Sequence, residues 1–307
     1  MVRAAEQFEV SEQFVEKDYY VTEILRIVAE RLGDKAMFKG GTSLSKGWGL
    51  INRFSEDIDL FVNRERFDPP PGTNKMDKML KELSEAIAQH PALTWLDEGI
   101  TIGGFGREDY FQYDSRFDDL PGIRPAVRFE PGVQSGTFPT EAVPITSMVG
   151  QYLLEQGRSD MADDLRGFEM TLLHFRRTFV EKLFALHGKV VRLIAEDHPL
   201  GRHARHYSDL YALSDQNEVR AMLASDEYEQ IRKDYDKTSS SSKYLARIYR
   251  PPEDLSFANS QAFFPDAALK AQLAGDYETQ CRLLFSGPGY PAFDEVLARF
   301  EEIRNLL

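Results

Sequence analysis

Residues 39–61 read KGGTSLSKGWGLINRFSEDIDLF. The stretch opens on Gly40-Gly41, directly after the short apolar run Ala36-Met37-Phe38. It ends in Asp57-Ile58-Asp59-Leu60-Phe61, whose alternation, with Val62 after it, reads as a strand. Side chains two apart on a strand share a face, so Asp57 and Asp59 point the same way. Two carboxylates held together repel unless a cation sits between them, and hard oxygen donors of this kind suit Mg²⁺ or Mn²⁺. Upstream, Gly40-Gly41 lies between a strand expected over 36–38 and a helical turn expected over 42–50. Glycines there let backbone N–H groups approach a phosphate. Thr42, Ser43 and Ser45 add hydroxyls, and Lys46 adds a positive charge. Taken singly, the glycines also describe a tight turn and the acids a solvated surface pair. Taken in order, they describe a site that brings a triphosphate to its metal. The spacing is neither that of a P-loop nor that of a dinucleotide-binding fold.

Working outward, residues 11–32 read as a helix with Ser11 as N-cap and Gly33 as its stop. Phe14, Val21, Ile24, Leu25, Val28 and Leu32 recur at helical spacing. Residues 66–74, with three consecutive prolines, read as a loop, and Lys75–Gln89 as an amphipathic helix. Between 100 and 145 frequent Gly and Pro separate short runs, giving strands at 101–102, 110–113, 126–130 and 143–145. From about 146 the apolar period turns helical. Glu169–Ala195 reads as one long helix broken near Gly188, residues 238–242 as a polar loop, and Phe293–Leu307 as a last helix. No internal repeat is present. Two domains are expected, 1–145 mixed α/β and 146–307 mainly helical.

The 307 residues carry 37 Lys and Arg against 50 Asp and Glu, a net charge of −13. Such a chain does not attract polyanions through its overall charge, so any nucleic-acid contact needs a local basic patch. With 42% hydrophobic residues it is no disordered or fibrous chain. A single cysteine, Cys281, excludes an internal disulfide and a multi-cysteine metal cluster, and reads as a small buried residue. No run approaches the length of a membrane span and no signal-peptide core opens the chain, so a cytoplasmic protein without membrane contact is expected.

Stretch 39–61 resembles the signature of the AbiEii-type nucleotidyltransferase toxins, part of the polymerase-β-like nucleotidyltransferase superfamily. Its pattern is a Gly-Gly or Gly-Ser turn followed by D-x-D. Here fifteen residues separate Gly41 from Asp57, somewhat more than the minimal spacing. Arg53-Phe54-Ser55 resembles the family's lead-in. Glu16-Lys17-Asp18-Tyr19-Tyr20-Val21-Thr22 resembles its N-terminal helix motif. Thr178–Leu183 and Arg205–Tyr211 resemble downstream motifs that contribute a functional lysine and aspartate, carried here onto Lys182 and Asp209. The resemblance implies an α/β (α+β) fold, with a polymerase-β-like nucleotidyltransferase core and mixed sheet ahead of a helical half. It also implies metal-dependent transfer of a nucleoside monophosphate from a nucleoside triphosphate to an RNA acceptor, the tRNA 3′ end in some members. A neutralising antitoxin follows as a partner.

Asp57 and Asp59 are then the metal ligands. Gly40, Gly41, Thr42, Ser43, Lys46 and Lys182 are the triphosphate contacts. A third metal-site carboxylate is common in the superfamily. Glu130, at the end of the alternating run 126–130, is the candidate, with a surface acid the competing reading. A lysine amid Phe179, Val180, Leu183 and Phe184 is costly to bury unless paired, and Asp209 is an available partner, for a functional or a purely structural pair. The window 174–206 holds seven Lys and Arg against three acids, and five of the six histidines. That makes it either an RNA-facing basic patch, with Arg176, Arg177, Arg202 and Arg205, or a solvated helix surface. His203-x-x-His206 lacks a third ligand at zinc spacing. Two rival functions remain: transfer to a small molecule or a protein hydroxyl, and a non-catalytic nucleotide-binding module.

Overall fold

A computed structural model describes residues 1–51, 53, 57–101, 106–118, 124–158, 161, 165–242, 245–284 and 289–307. Phe54, Ser55 and Ile102, named above, lie outside the described residues. The chain divides into two compact units. The first comprises Met1–Gly49 and Phe54–Leu173, the second Leu50–Arg53 and His174–Leu307. The change of composition near 146 falls inside the first unit.

The first unit is built on a seven-stranded mixed sheet: β1 (Ala36–Lys39), β2 (Asp57–Val62), β3 (Thr94–Thr101), β4 (Arg107–Gln112), β5 (Ala126–Gly132), β6 (Thr140–Ile145) and β7 (Phe168–Leu173), in the order β3-β4-β5-β2-β1-β7-β6. The central strand β2 runs antiparallel to β1 and parallel to β5. Helices α1 (Val2–Phe8), α2 (Glu12–Leu32), α3 (Gly40–Lys46), α4 (Thr73–Ile87) and α5 (Met148–Glu155) complete it. Ser11 caps α2 by accepting from the Phe14 N–H at 3.3 Å, and Gly33 ends it at φ +53. Val21, Ile24, Leu25 and Val28 of α2 and Met76, Leu80, Leu83 and Ile87 of α4 share a core with Phe38, Ile58, Leu60, Val127 and Phe129. That assigns one sheet face to the core. The alternate residues of β2 and β5, Asp57, Asp59, Arg128 and Glu130, are left for the other face.

The motif of the N-terminal helix is occupied by buried polar contacts. Glu16 accepts from the Ser115 hydroxyl at 2.8 Å and the Arg116 N–H at 3.0 Å. Lys17 donates to the Arg124 carbonyl at 3.0 Å. Asp18 accepts from Lys46 Nζ at 2.6 Å and from the Met148 N–H at 2.7 Å. Three charges in a row thus tie distant segments to one helix, each burial compensated by a partner.

The second unit is helical: α6 (Phe175–Glu196), α7 (His206–Ser214), α8 (Asn217–Leu223), α9 (Asp226–Ser241), α10 (Ala267–Leu284) and α11 (Phe293–Ile303), with a 3-10 turn at Gly201–Arg205. Phe179, Leu183 and Leu186 of α6, Tyr207 and Leu210 of α7, and Phe300 of α11 are fully buried. Cys281 is buried and free. Among the described residues, no helix is long and apolar enough to cross a membrane.

Several local expectations need correction. The helix expected from Glu169 begins only at Phe175, because Phe168–Leu173 is β7, paired with β1 and β6. His174 caps the helix, its Nδ1 accepting from the Arg176 N–H at 3.3 Å. An apolar run such as Met170–Leu173 suits strand or helix, and tertiary pairing decides. Gly188 does not break α6. Residues 238–241 continue α9, with Ser239 buried. Gly40 and Gly41 form the first turn of α3 rather than a turn before it, and α3 ends at Lys46. The edge strand β3, mostly exposed, has little alternation to read.

Candidate active site

In the first unit the site is assembled by register. Asp57 pairs with Arg128 and Asp59 with Glu130 across the parallel β2–β5 ladder, while Lys39 stands opposite Asp59 on β1. The chain leaves β1 at Lys39 and enters α3 through Gly40, which has φ +79. A Cβ at this glycine would lie 2.0 Å from Asp59 Oδ2. Only glycine tolerates both the backbone angle and that approach, so the carboxylate of Asp59 lies against the first turn of α3.

The α3 side chains largely brace this turn. The Thr42 hydroxyl donates to the Asp57 carbonyl at 2.5 Å. The Ser43 hydroxyl donates to the Gly40 carbonyl at 2.9 Å. Lys46 is 4% exposed and held by Asp18 and by the Thr146 carbonyl, at 2.6 and 3.2 Å. These contacts fix α3 after the strand that carries Lys39 and against the start of the strand that carries Asp57.

Arg128 is a cation on the acidic face. Its guanidinium lies 2.7 Å from Glu130 Oε1, 2.6 Å from Glu108 Oε2 and 3.7 Å from Asp57 Oδ2. Burial disfavours its charge, but the hydrogen bond to Glu108 and the charges of Glu130 and Asp57 outweigh burial and raise its pKa. Glu130 is therefore committed to an ion pair. Among the described residues, no group of three or more His, Cys, Asp or Glu side chains gathers for a metal ion. Mg²⁺ is commonly held by one or two carboxylates, with water and substrate phosphates completing its shell. Asp57 and Asp59, on one face and backed by a turn without a side chain, fit that role.

In the second unit Lys182, which faces inward from α6, meets Asp209 of α7. Asp209 has no exposed surface and is gripped in a fork by Arg53, with Nε to Oδ1 at 2.6 Å and Nη2 to Oδ2 at 2.8 Å. Lys182 Nζ lies 2.8 Å from Asp209 Oδ2 and 3.1 Å from His206 Nδ1. Burial pushes the Asp209 carboxyl up, yet the Arg53 and Lys182 charges, with hydrogen bonds from Arg53 and His206, hold it well below the usual range. Burial also lowers the Lys182 ammonium and lowers His206 well below its usual value, leaving the imidazole neutral. A pocket of about 330 Å³ opens against Asp209, between Ile51, Tyr211, Asp215 and Pro291.

Arg53, Arg128, Glu108 and Asp18 received no role from the sequence. Arg53 stands in a quoted lead-in, but its partner is 156 residues away. Of the arginines expected to form a basic patch, Arg177 is fully buried between Glu181 at 3.0 Å and Asp234 at 2.7 Å. Arg176 pairs with Glu227 at 3.4 Å. Both serve packing of the helices.

The sequence profile of one family, described as nucleotidyl transferase AbiEii toxin of a type IV toxin–antitoxin system, matches residues 23–299. No curated protein matches the chain. The matched span takes in α3 and β2 with Asp57 and Asp59, and α6 and α7 with Lys182 and Asp209. With nine-tenths of its length in that match, and the expected mixed sheet and paired carboxylates within it, the chain belongs to the AbiEii family of nucleotidyl transferase toxins.

Proposed function

We propose that this toxin moves a nucleoside monophosphate from a nucleoside triphosphate onto an RNA hydroxyl in the cytoplasm, with the tRNA 3′ end as acceptor and a cognate antitoxin as its restraint. The observation that carries the reading is the Asp57/Asp59 pair on one face of β2, with Gly40 bare against Asp59. Asp57 and Asp59 would hold a Mg²⁺ or Mn²⁺ ion there, which would supply charge neutralisation of the triphosphate. Gly40 and Gly41 keep the backbone close to the carboxylates so that a triphosphate can approach. Thr42 and Ser43 hold that backbone in shape, and Lys46, tied to Asp18 and the Thr146 carbonyl, anchors the end of α3. Arg128 balances the acidic face and keeps Glu130 in place. Lys182 is assigned to a triphosphate oxygen on the strength of the family motif, with Asp209 and Arg53 setting its position and charge. The remaining requirement is alignment of hydroxyl and leaving group, which positioning alone can make effective.

The test is incubation with each α-labelled nucleoside triphosphate, total tRNA and Mg²⁺, resolved on a denaturing gel. Label in the tRNA band, abolished by EDTA and by Asp59→Asn, supports the reading. Label that stays in protein or in a small product moves the acceptor to those classes.

A further inference from the structure

The second unit carries another pocket, which shares no lining residue with the one against Asp209. Its wall is aromatic: Phe184 stacks on Tyr235 at 4.6 Å between ring centroids, and Tyr249 lies 6.1 Å from Phe184. Its rim is cationic, from Lys189, Arg192 and Arg250. Arg192 and Arg250 share Glu196, at 3.1 and 3.7 Å. Lys189 forms no ion pair among the described residues; the charges that act on it are those of Arg192 and Arg202. Burial and these two like charges lower its pKa, and burial with Lys189, Arg202 and Arg205 pushes His203 down to about 3. Like charges gathered on a partly buried surface repel, and an anion relieves them. An aromatic wall beside that anion site receives a planar ring.

We propose that this pocket binds a nucleotide, its base against Tyr235 and Tyr249 and its phosphate on Lys189 and Arg192. The ligand is a nucleoside phosphate, either free or as an unpaired nucleotide of an RNA strand. The site uses none of the residues assigned to transfer. It places the basic character of window 174–206 at the far end of α6 from Arg176 and Arg177, which are spent on ion pairs.

The test uses the full-length protein in EDTA, without triphosphate. The probes are 2-aminopurine riboside 5′-monophosphate, the same riboside without phosphate, and a short single-stranded oligoribonucleotide carrying one 2-aminopurine. Stacking quenches the probe's emission. The expected result is saturable quenching of a phosphorylated probe, about tenfold weaker binding without the phosphate or in Lys189→Met, and retention within about threefold in Lys189→Arg. Tyr249→Leu should remove most of the quenching. Quenching of the oligoribonucleotide alone assigns the site to RNA, and quenching of the mononucleotide as well assigns it to free nucleotide. The proposal is overturned if neither phosphorylated probe is quenched, or if Lys189→Met, folded by circular dichroism, titrates like the wild type. Since no metal and no transfer are involved, either result leaves the transferase reading to its own assay.

Discussion

Replacing Arg53 by Met removes the fork that neutralises Asp209 and leaves a carboxylate with no exposed surface facing Lys182 and His206 alone. Two charge-assisted hydrogen bonds, at 2.6 and 2.8 Å, go with it. Breaking a buried pair by deleting one partner costs about 3–5 kcal/mol. For a domain the size of the second unit, that corresponds to a fall of roughly 10–17 °C in its melting temperature. The two tryptophans, Trp48 and Trp95, both lie in the first unit, so their fluorescence follows that unit while far-UV circular dichroism is weighted towards the helices. The expected result is an early helical transition with the tryptophan signal less affected. Arg53→Met combined with Asp209→Leu and Lys182→Met should recover much of the loss, because Lys182 is otherwise left without its 2.8 Å partner and an apolar cluster carries no desolvation penalty. Lys182→Met should cost far less than Arg53→Met, since Asp209 keeps its fork, yet it should abolish nucleotide transfer. A helical transition in Arg53→Met within about 3 °C of the wild type would refute the reasoning, because Asp209 would then not depend on that fork.

Gly40→Ala places a Cβ against Asp59 at an unfavourable φ. It should cost at least ~1 kcal/mol and weaken Mn²⁺ binding measured by electron paramagnetic resonance, whereas Gly33→Ala, strained but with open space, should cost stability without touching Mn²⁺ affinity. Lys46→Met leaves Asp18, 11% exposed, without its 2.6 Å partner. It should destabilise the first unit by about 2–3 kcal/mol, seen in the tryptophan transition. His174, lowered to about 4, and His203, lowered to about 3, are neutral when folded and take up protons on unfolding below about pH 6.5. Their contribution is present above that pH and is lost as pH falls toward 4, with a slope approaching ~2.7 kcal/mol per pH unit for the two together. Urea titrations at pH 7, 6 and 5 should show the decline, and replacing both by Gln should flatten it.

The sequence made the central strand legible because Asp57–Val62 alternates and its polar face had to be explained. Helix α2 was legible because an apolar stripe, a serine cap and a glycine stop agreed with one another. The third strand of the β1 neighbourhood, β7, was hidden because its apolar residues satisfy either period and only β1 and β6 make it a strand. Helix α9 runs through a serine tract of weak propensity because Ser239 and Ile231 are buried in the unit. Within the site, the candidate metal acids could be read from i, i+2 spacing. Lys182 and Asp209 come from the family's downstream motifs, and the cost of burying a lysine makes their contact an available pairing. Arg53 as their partner, Arg128 as the counter-charge and Asp18 as the holder of Lys46 could not be read, since each pairs across 28 or more residues or across strands whose register no local pattern shows. The expected patch at Arg176 and Arg177 misled for the same reason: the acids that neutralise them stand on other turns and other helices.

The central claim is that the Asp57/Asp59 pair holds the metal on which transfer depends. Pyrophosphate release from nucleoside triphosphate in the presence of total tRNA and Mg²⁺ measures it directly, in wild type and in Asp59→Asn. The account predicts release by the wild type that EDTA stops, and a loss of at least about a thousandfold in the variant, of the order expected when a principal charge-stabilising group is removed, at an unchanged melting temperature. A folded Asp59→Asn protein that releases pyrophosphate at the wild-type rate would contradict it.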